Sequence, residues 1–396
     1  MKLHKHLVQA TAVALKEIFT EKRYADRVLE RTFKQNPKWG SRDRRMVAES
    51  VYDIVRYYRL YSELAGSKNN YWFMMAIWLV VHDYELPAWQ EFVDVHPEAI
   101  KKHKAKLETN AVIAQSFPDW LWELGARELT PAVWEQEATA MNEQARVFLR
   151  VNTLKATPEK VIASLAKDRI VAEAVLGINH ALVLKNRANI FKTEAFSEGW
   201  IEVQDAGSQQ IGLFLAPHAG EVVVDACAGA GGKSLQLAAL MQNKGRIVSM
   251  DVEQWKLDEL KKRAKRAGVH QITTRLIEKD TIASMKNSAD KVLLDVPCSG
   301  SGVFRRNPDA KWKLSEESLE RTKSTQNQIL NEYSGMVKPG GTLVYSTCSV
   351  FPSENENQVN AFLESHPEFK LLKDSTLLPS SGFDGFYMAL LVKSPS

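Results

Sequence analysis

The spacing of apolar and polar positions changes twice along the chain and divides it into three stretches. Residues 1–105 carry apolar residues at helical intervals and no convincing strand. The N-terminal segment MKLHKHLVQATAVALKEIF reads as an amphipathic helix. Glu17 interrupts its apolar stretch and no small-residue cleavage site follows, which argues against a signal peptide. Val28, Leu29 and Phe33 mark one apolar face, and Val47, Val51, Ile54, Val55 and Tyr58 mark another. The break Asn36-Pro-Lys-Trp-Gly40 separates the two, with Ser41 placed to cap the second helix. The block Tyr71-Trp-Phe-Met-Met-Ala-Ile-Trp-Leu-Val-Val81 is apolar on nearly every side, as the central helix of a bundle should be.

Residues 106–205 mix the two periods. Phe117-Pro-Asp-Trp120 opens a helix, Val147–Val151 and Ala181–Leu184 read as strands, and Pro158–Ala166 is a helix with proline at its start. This stretch is expected to form a small α/β connecting module. From 206 to 396 strands and helices alternate. Expected strands are Glu221–Asp225, Arg246–Asp251, Thr273–Ile277, Ala289–Asp295, Thr342–Ser346 and a last one at Phe386–Val392. Expected helices lie at Ser234–Met241, Gln254–Ala267 and Leu319–Met336. Such alternation predicts an α/β fold with a doubly wound, mostly parallel, Rossmann-like sheet, whose ligands bind outside the carboxyl ends of the strands. Three domains are expected: 1–105 helical, 106–205 connecting, and 206–396 doubly wound.

Composition excludes several classes. No apolar run reaches the roughly 18–20 residues that span a bilayer, so no membrane association and a cytoplasmic location are expected. The three cysteines, Cys227, Cys298 and Cys348, are too few for a disulfide framework and lack zinc spacing, so no metal is expected. Net charge is only +4, but basic residues outnumber acids between Lys16 and Arg59. A second basic run follows at Lys101, Lys102, His103, Lys104 and Lys106. That asymmetry points to a polyanion; a solvated helical face would look the same from charge alone.

The chemistry concentrates in the last stretch. Asp225-Ala-Cys-Ala-Gly-Ala-Gly-Gly-Lys233 follows a strand and opens a helix, so its glycines let backbone approach a ligand closely. It matches neither G-x-G-x-x-G nor the phosphate-binding P-loop. Asp251 ends the next strand, where a carboxylate can accept from ribose hydroxyls, and Asp280 follows the third, placed to contact an adenine amino group. Any one of these could be a helix cap; with Asp295 as a third, a nucleoside-type cofactor explains them together. Each cysteine sits in a Gly-, Pro- or Ser-rich loop, which sets it apart from an ordinary buried cysteine. Asp295-Val-Pro-Cys-Ser-Gly300 and Tyr345-Ser-Thr-Cys-Ser349 follow strands expected to be neighbours, so Cys298 and Cys348 can face one pocket.

These two motifs resemble D-x-P-C-S-G and S-T-C-S of the RNA cytosine-C5 methyltransferases of the RsmB/NSUN family. Leu149-Arg-Val-Asn-Thr-Leu-Lys155 and Gly199–Ser208 are similar to the family's segment ahead of the catalytic fold. Ser41–Tyr52 resembles the NusB-like RNA-binding domain of its bacterial RsmB branch. The family's C-A-A-P-G-G-K is here Cys227-Ala-Gly-Ala-Gly-Gly-Lys233, a departure that frees backbone without removing polar groups.

The resemblance implies S-adenosyl-L-methionine as cofactor, bound by Cys227, Ala228, Gly229, Ala230, Gly231, Gly232, Lys233, Asp251, Asp280 and Asp295. It assigns Cys348 as the covalent nucleophile, Asp295 to the Watson–Crick edge of the base, and Cys298 to product release. It implies RNA as substrate, 16S rRNA for the RsmB branch, and a monomer is expected. The competing expectations are a tRNA cytosine-C5 methyltransferase and, in a different class, a non-catalytic RNA-binding ribosome assembly factor. Loss of Cys348, Asp295 or the Gly-rich loop would favour the latter; all are present.

Overall fold

The computed structural model describes residues 3–68 and 70–395. Met1 and Lys2 of the expected N-terminal helix lie outside them. The chain forms two compact units, Met1–Glu143 with Phe304–Glu316, and Gln144–Val303 with Glu317–Ser396.

The first unit is helical among its described residues. Its helices are Lys5–Phe19, Ala25–Gln35, Ser41–Arg56, Tyr58–Ala65, Tyr71–Val81, Pro97–Leu107, Ala111–Ala114, Asp119–Leu129 and Pro131–Asn142. Met74 to Val80 are buried without interruption, so the apolar block is the central helix that its pattern required. Leu7, Val8, Leu15 and Ile18 of the first helix pack in the same core as Val28, Val47, Val51 and Ile54. Two local expectations are corrected. Ser41 is already helical; the cap position is Gly40, whose N–H donates to the Asp43 carboxylate at 3.2 Å. Tyr58 does not continue the face of Val51 and Val55, because the helix stops at Arg56 and Tyr58 starts the next. Residues 304–316, which follow the D-x-P-C-S-G motif in sequence, belong to this helical unit. Asp309 accepts from the Ala25 N–H at 3.1 Å, and the Trp312 indole donates to the Val55 carbonyl at 2.7 Å. Arg305 Nε donates to the Ala140 carbonyl at 2.8 Å.

The second unit holds two sheets. The smaller contains β1 (Phe148–Val151), β2 (Ala172–Ala174), β3 (Ala181–Leu184) and β4 (Ile201–Val203) in the order β2-β3-β1-β4, all antiparallel. Helix Pro158–Lys167 covers it through Val161 and Leu165, which pack with Leu149, Val151 and Leu182. The larger sheet contains β5 (Val222–Asp225), β6 (Arg246–Asp251), β7 (Ile272–Leu276), β8 (Ala289–Asp295), β9 (Val337–Thr347), β10 (Phe369–Leu377) and β11 (Phe386–Lys393). Its order is β10-β11-β9-β8-β5-β6-β7. β9-β8-β5-β6-β7 are parallel and β11 and β10 antiparallel, so the sheet is Rossmann-like and mostly parallel. Helices on both faces explain the nearly continuous apolar runs. Val224, Val292 and Tyr345 enter one core layer while Val223, Leu293 and Val344 enter the other. Strand order reverses at β5, between β6 on one side and β8 on the other, which opens a crevice at their carboxyl ends.

Candidate active site

The crevice is built from the loops that leave β5, β6, β8 and β9. Residues Asp225, Asp251 and Asp295 each end a strand there. The β8–β9 register sets Asp295 beside Ser346, so Cys298 and Cys348 leave adjacent strands as their spacing predicted. Their Sγ atoms lie 3.2 Å apart, and the Cys348 N–H points to Cys298 Sγ at 3.3 Å. The hydrogen bond between the thiols, followed by burial, pushes the Cys298 thiol well above the ordinary cysteine range. Two thiolates at that distance would repel, which works with burial to hold the proton on Cys298.

Asp295 is the second fixed point. Its Oδ2 accepts from Lys233 Nζ at 2.5 Å and its Oδ1 from the Ser346 hydroxyl at 3.1 Å. Burial pulls the Lys233 ammonium down, but Asp295 outweighs it and leaves Lys233 above the usual lysine value. Lys233 therefore stays cationic and keeps a positive charge beside the cysteines.

The Gly-rich loop arches from β5 into helix Gly232–Leu240. Ala228 is fixed by its N–H to the Met250 carbonyl at 2.8 Å, and Gly229 N–H donates to Asp251 Oδ2 at 2.9 Å. Added Cβ atoms would meet nothing at Gly229 or Gly232, so the crest of the loop is open to a ligand, whereas Gly231 packs on Leu260. Two arginines hold the loop's carbonyls: Arg263 the Ala230 oxygen at 2.8 Å, and Arg150 of β1 the Gly232 oxygen at 2.5 Å. Burial lowers the Arg150 guanidinium to about 10, which leaves it charged at neutral pH. Cys227 faces Asp225, Asp295 and Asp251, and burial first, then those carboxylates, raise its thiol far above the ordinary value. It is a neutral pocket wall.

The structure thus gathers Cys227–Lys233, Asp251, Asp295, Cys298 and Cys348 around one crevice. Asp280 stands apart in character: it is exposed in the turn after β7, where its carbonyl accepts from the Ser284 N–H at 3.1 Å. Sequence reasoning missed Ser346, Arg150, Arg263 and Asp225. Ser346 lies inside the S-T-C-S motif, two residues before Cys348, near the end of β9. Nothing local marks the arginines, because their partners are backbone oxygens far away in the chain. Asp225 Oδ2 accepts from Ser234 at 2.6 Å while Oδ1 is buried without a hydrogen-bond partner among the described residues. That orphaned acceptor, the open glycine crest and the Asp251 carboxylate fit a cofactor with an ammonium group and a ribose. Among the described residues no group of three or more His, Cys, Asp or Glu could hold a metal ion.

Fold and crevice together define a Rossmann-like unit with a site fit for a nucleoside-type cofactor, and comparison with known proteins supplies its family. Residues 212–391 match the model "16S rRNA methyltransferase RsmB/F", and residues 117–191 match the ferredoxin-like domain of RsmF/B-like methyltransferases. The two matches span well over half of the chain, which belongs to the RsmB/F methyltransferase family, a family whose methyl donor is S-adenosylmethionine. The chain is 34% identical to the ribosomal RNA small subunit methyltransferase B of Vibrio cholerae, over 70% of this chain and 65% of that protein. It is 36% identical to a probable ribosomal RNA small subunit methyltransferase B of Synechocystis, over 64% of this chain and 58% of that one. The matched part is thus slightly under two thirds of these relatives' length. Among solved structures, that of PH0851 superposes with a TM-score of 0.83 at 28% identity, over 99% of this chain and 100% of that one.

Proposed function

We propose that this protein transfers a methyl group from S-adenosylmethionine to carbon 5 of a cytosine in RNA, with small-subunit ribosomal RNA as the substrate and Cys348 as a transient covalent nucleophile. The observation that carries the reading is the pair of thiols 3.2 Å apart beside the Lys233–Asp295 ion pair. Cys227–Lys233, Asp251, Asp280 and Asp295 hold the cofactor, which when bound supplies an electrophilic methyl group. Carbon 5 of cytosine is too poor a nucleophile to take that methyl unaided. The Cys348 thiolate adds to carbon 6, its sulfur lone pair forming the bond, and the ring electrons move so that carbon 5 becomes enamine-like. Asp295, bridged to the Lys233 ammonium, faces the Watson–Crick edge and steadies the proton that ring nitrogen 3 gains. A Cys298 thiol that retains its proton cannot compete as a second nucleophile. Once Cys348 is bonded to carbon 6, Cys298 gives its proton to solvent, and after methyl transfer its sulfur takes the proton from carbon 5. The C6–S bond breaks with its electrons going to Cys348, the C5–H electrons restore the ring double bond, and ring nitrogen 3 returns its proton to solvent. The target base leaves its stack to reach the crevice.

The helical unit and the Lys101–Lys106 run are assigned to the RNA backbone, in a cytoplasmic, monomeric enzyme. Ribosomal RNA is preferred over transfer RNA as substrate because the curated relatives carry that name.

The two cysteines are separable by experiment. Cys348→Ala should abolish methyl transfer and yield no adduct. Cys298→Ala should still attack and methylate but stall, leaving RNA attached through Cys348 as a slow band on a denaturing gel. The double variant should lose that band. Methylation intact in Cys348→Ala, with no adduct from either single variant, would sink covalent catalysis. Bisulfite sequencing of RNA from a deletion strain then separates ribosomal from transfer RNA as substrate.

A further inference from the structure

The residues following the two cysteines, Ser299 and Ser349, meet at one side chain that neither motif contains. Glu354 is fully buried and has no ion pair among the described residues. Its Oε1 accepts from the Ser299 N–H at 2.8 Å and from Gln326 Nε2 at 3.0 Å. Its Oε2 accepts from the hydroxyls of Ser299 and Ser349, each at 2.5 Å. A carboxylate offers about four acceptor positions, so this one is filled. Burying a charge without a cation is costly unless hydrogen bonds replace its hydration, so a site that does so is specified closely by its donors. Three of the four donors belong to the two cysteine loops. The fourth, Gln326, also donates to the Pro297 carbonyl at 3.0 Å, directly before Cys298. Both loops are thereby fastened to one point, while Ser301 Oγ lies 3.0 Å from Ser349 Oγ as a further link between them.

We propose that Glu354 is the positioning residue of this active site: its buried carboxylate clamps the Cys298 loop to the Cys348 loop and sets the thiol-to-thiol spacing, without touching the substrate. The inference rests on the two-cysteine reading above for its meaning, but not for its test. Without the clamp, each loop keeps its backbone anchors. Gly302 N–H still reaches the Cys348 carbonyl at 2.9 Å, yet the serines that fix the cysteine tips lose their common acceptor. The carboxylate also adds a negative charge near Cys298, which works with the Cys348 hydrogen bond and burial to keep that thiol protonated. Glutamine in its place preserves the shape and most hydrogen bonds, since serine hydroxyls can turn to accept, but removes the charge. Alanine removes both.

The test uses the full chain as wild type, Glu354→Ala and Glu354→Gln. Phenylarsine oxide binds two neighbouring thiols through one arsenic with loss of water and so reports their spacing with no RNA or cofactor present. Cys298→Ala, which has one thiol of the pair, is the control that arsenical capture needs both. Glu354→Ala should capture the arsenical about tenfold more weakly and lose about 100-fold in kcat, the usual effect of a displacement near 1 Å, with KM for RNA little changed. Glu354→Gln should bind the arsenical like wild type, and the pH profile of its RNA-adduct release should move to lower pH as Cys298 loses the nearby charge. Folded Glu354→Ala with wild-type arsenical binding and kcat would overturn the proposal. If alanine prevents folding, Glu354→Asp, which keeps the charge but draws the carboxylate back by one methylene, decides: wild-type arsenical capture and kcat there overturn it. Arsenical capture that depends on Glu354 in a protein that never methylates RNA would uphold the clamp and reject the assigned reaction.

Discussion

Asp225 ends β5 with one carboxylate oxygen on Ser234 and the other buried without a partner among the described residues. Burial, opposed by the Ser234 hydrogen bond and reinforced by Asp295, pushes its pKa up to about 6. Near pH 3 the folded and unfolded chains both carry this proton. Between pH 4 and 6 the unfolded chain has released it and the folded chain has not, so this group's contribution falls as pH rises and the penalty is complete above about pH 6. A shift of this size corresponds to about 3 kcal/mol at most. Asp225→Asn should therefore gain stability over wild type as pH rises from 4.5 to about 6 and keep that gain to pH 7.5, read as a gap in urea midpoints that widens and then holds. Parallel midpoints across that range would show that the carboxyl is not strained. Saturating S-adenosylmethionine should narrow the gap, because a donor to the orphaned oxygen favours the charged form in wild type alone. The placement of residues was legible in the sequence where motif and strand end coincide, as at Asp251, Asp295, Cys298 and Cys348. It was not legible where the role depends on what burial leaves unpaired, as at Asp225, or on partners distant in sequence, as at Arg150, Arg263 and Glu354.

At the scale of elements, the loop after β5 shows how one stretch of backbone mixes rigid and open positions. Gly231 adopts φ +86°, and a Cβ there would lie 2.4 Å from Leu260 Cγ; Gly229 adopts φ +53° but faces open space. Gly231→Ala therefore meets both backbone strain and a collision, with an expected loss of about 2–4 kcal/mol, against about 1 kcal/mol for Gly229→Ala. Thermal unfolding of the two variants compares them directly, and equal losses would mean that Leu260 gives way freely. Gly231→Ala/Leu260→Ala should not recover wild-type stability, since the backbone strain remains and the helix Gln254–Ala267 loses an anchor. The same loop accounts for the missing proline of the family pattern. The Ala230 carbonyl is held by Arg263, so an ion-paired side chain restrains backbone that a ring would otherwise restrain. Long elements were legible: helix Gln254–Ala267 and strands Arg246–Asp251 and Ala289–Asp295 fall where their periodicity put them. Short or edge elements were not. β2 and β4 have three residues each, and β10 is mostly exposed, so none carries enough apolar period to be read.

At the scale of the whole molecule, charge and chain connectivity decide how RNA binding can be tested. Much of the basic surplus near the N-terminus is already engaged: Arg31 and Arg23 pair with Glu17, Lys34 pairs with Glu30, and Arg59 pairs with Asp119. On helix Pro97–Leu107, Lys101 pairs with Asp83 and Lys104 with Glu108. Lys102 and Lys106 are exposed and have no ion pair among the described residues, so they are the better candidates for binding phosphates. Deleting residues 1–105 would be a poor test, because Ile113 and Trp312 pack on the same core as Val47 and Ile54 and would be stripped of it. Reversing charge on the surface leaves that core alone. If both lysines meet phosphates, Lys102→Glu/Lys106→Glu should weaken RNA binding and flatten the plot of log affinity against log salt by roughly 1.4–1.8, about 0.7–0.9 for each phosphate no longer neutralised. S-adenosylmethionine affinity should not move, and methyl transfer should recover at high RNA concentration, since the crevice residues are untouched. An unchanged salt slope would remove this helix from the RNA-binding surface. A matching loss of cofactor affinity would instead mean that the substitutions damage the fold.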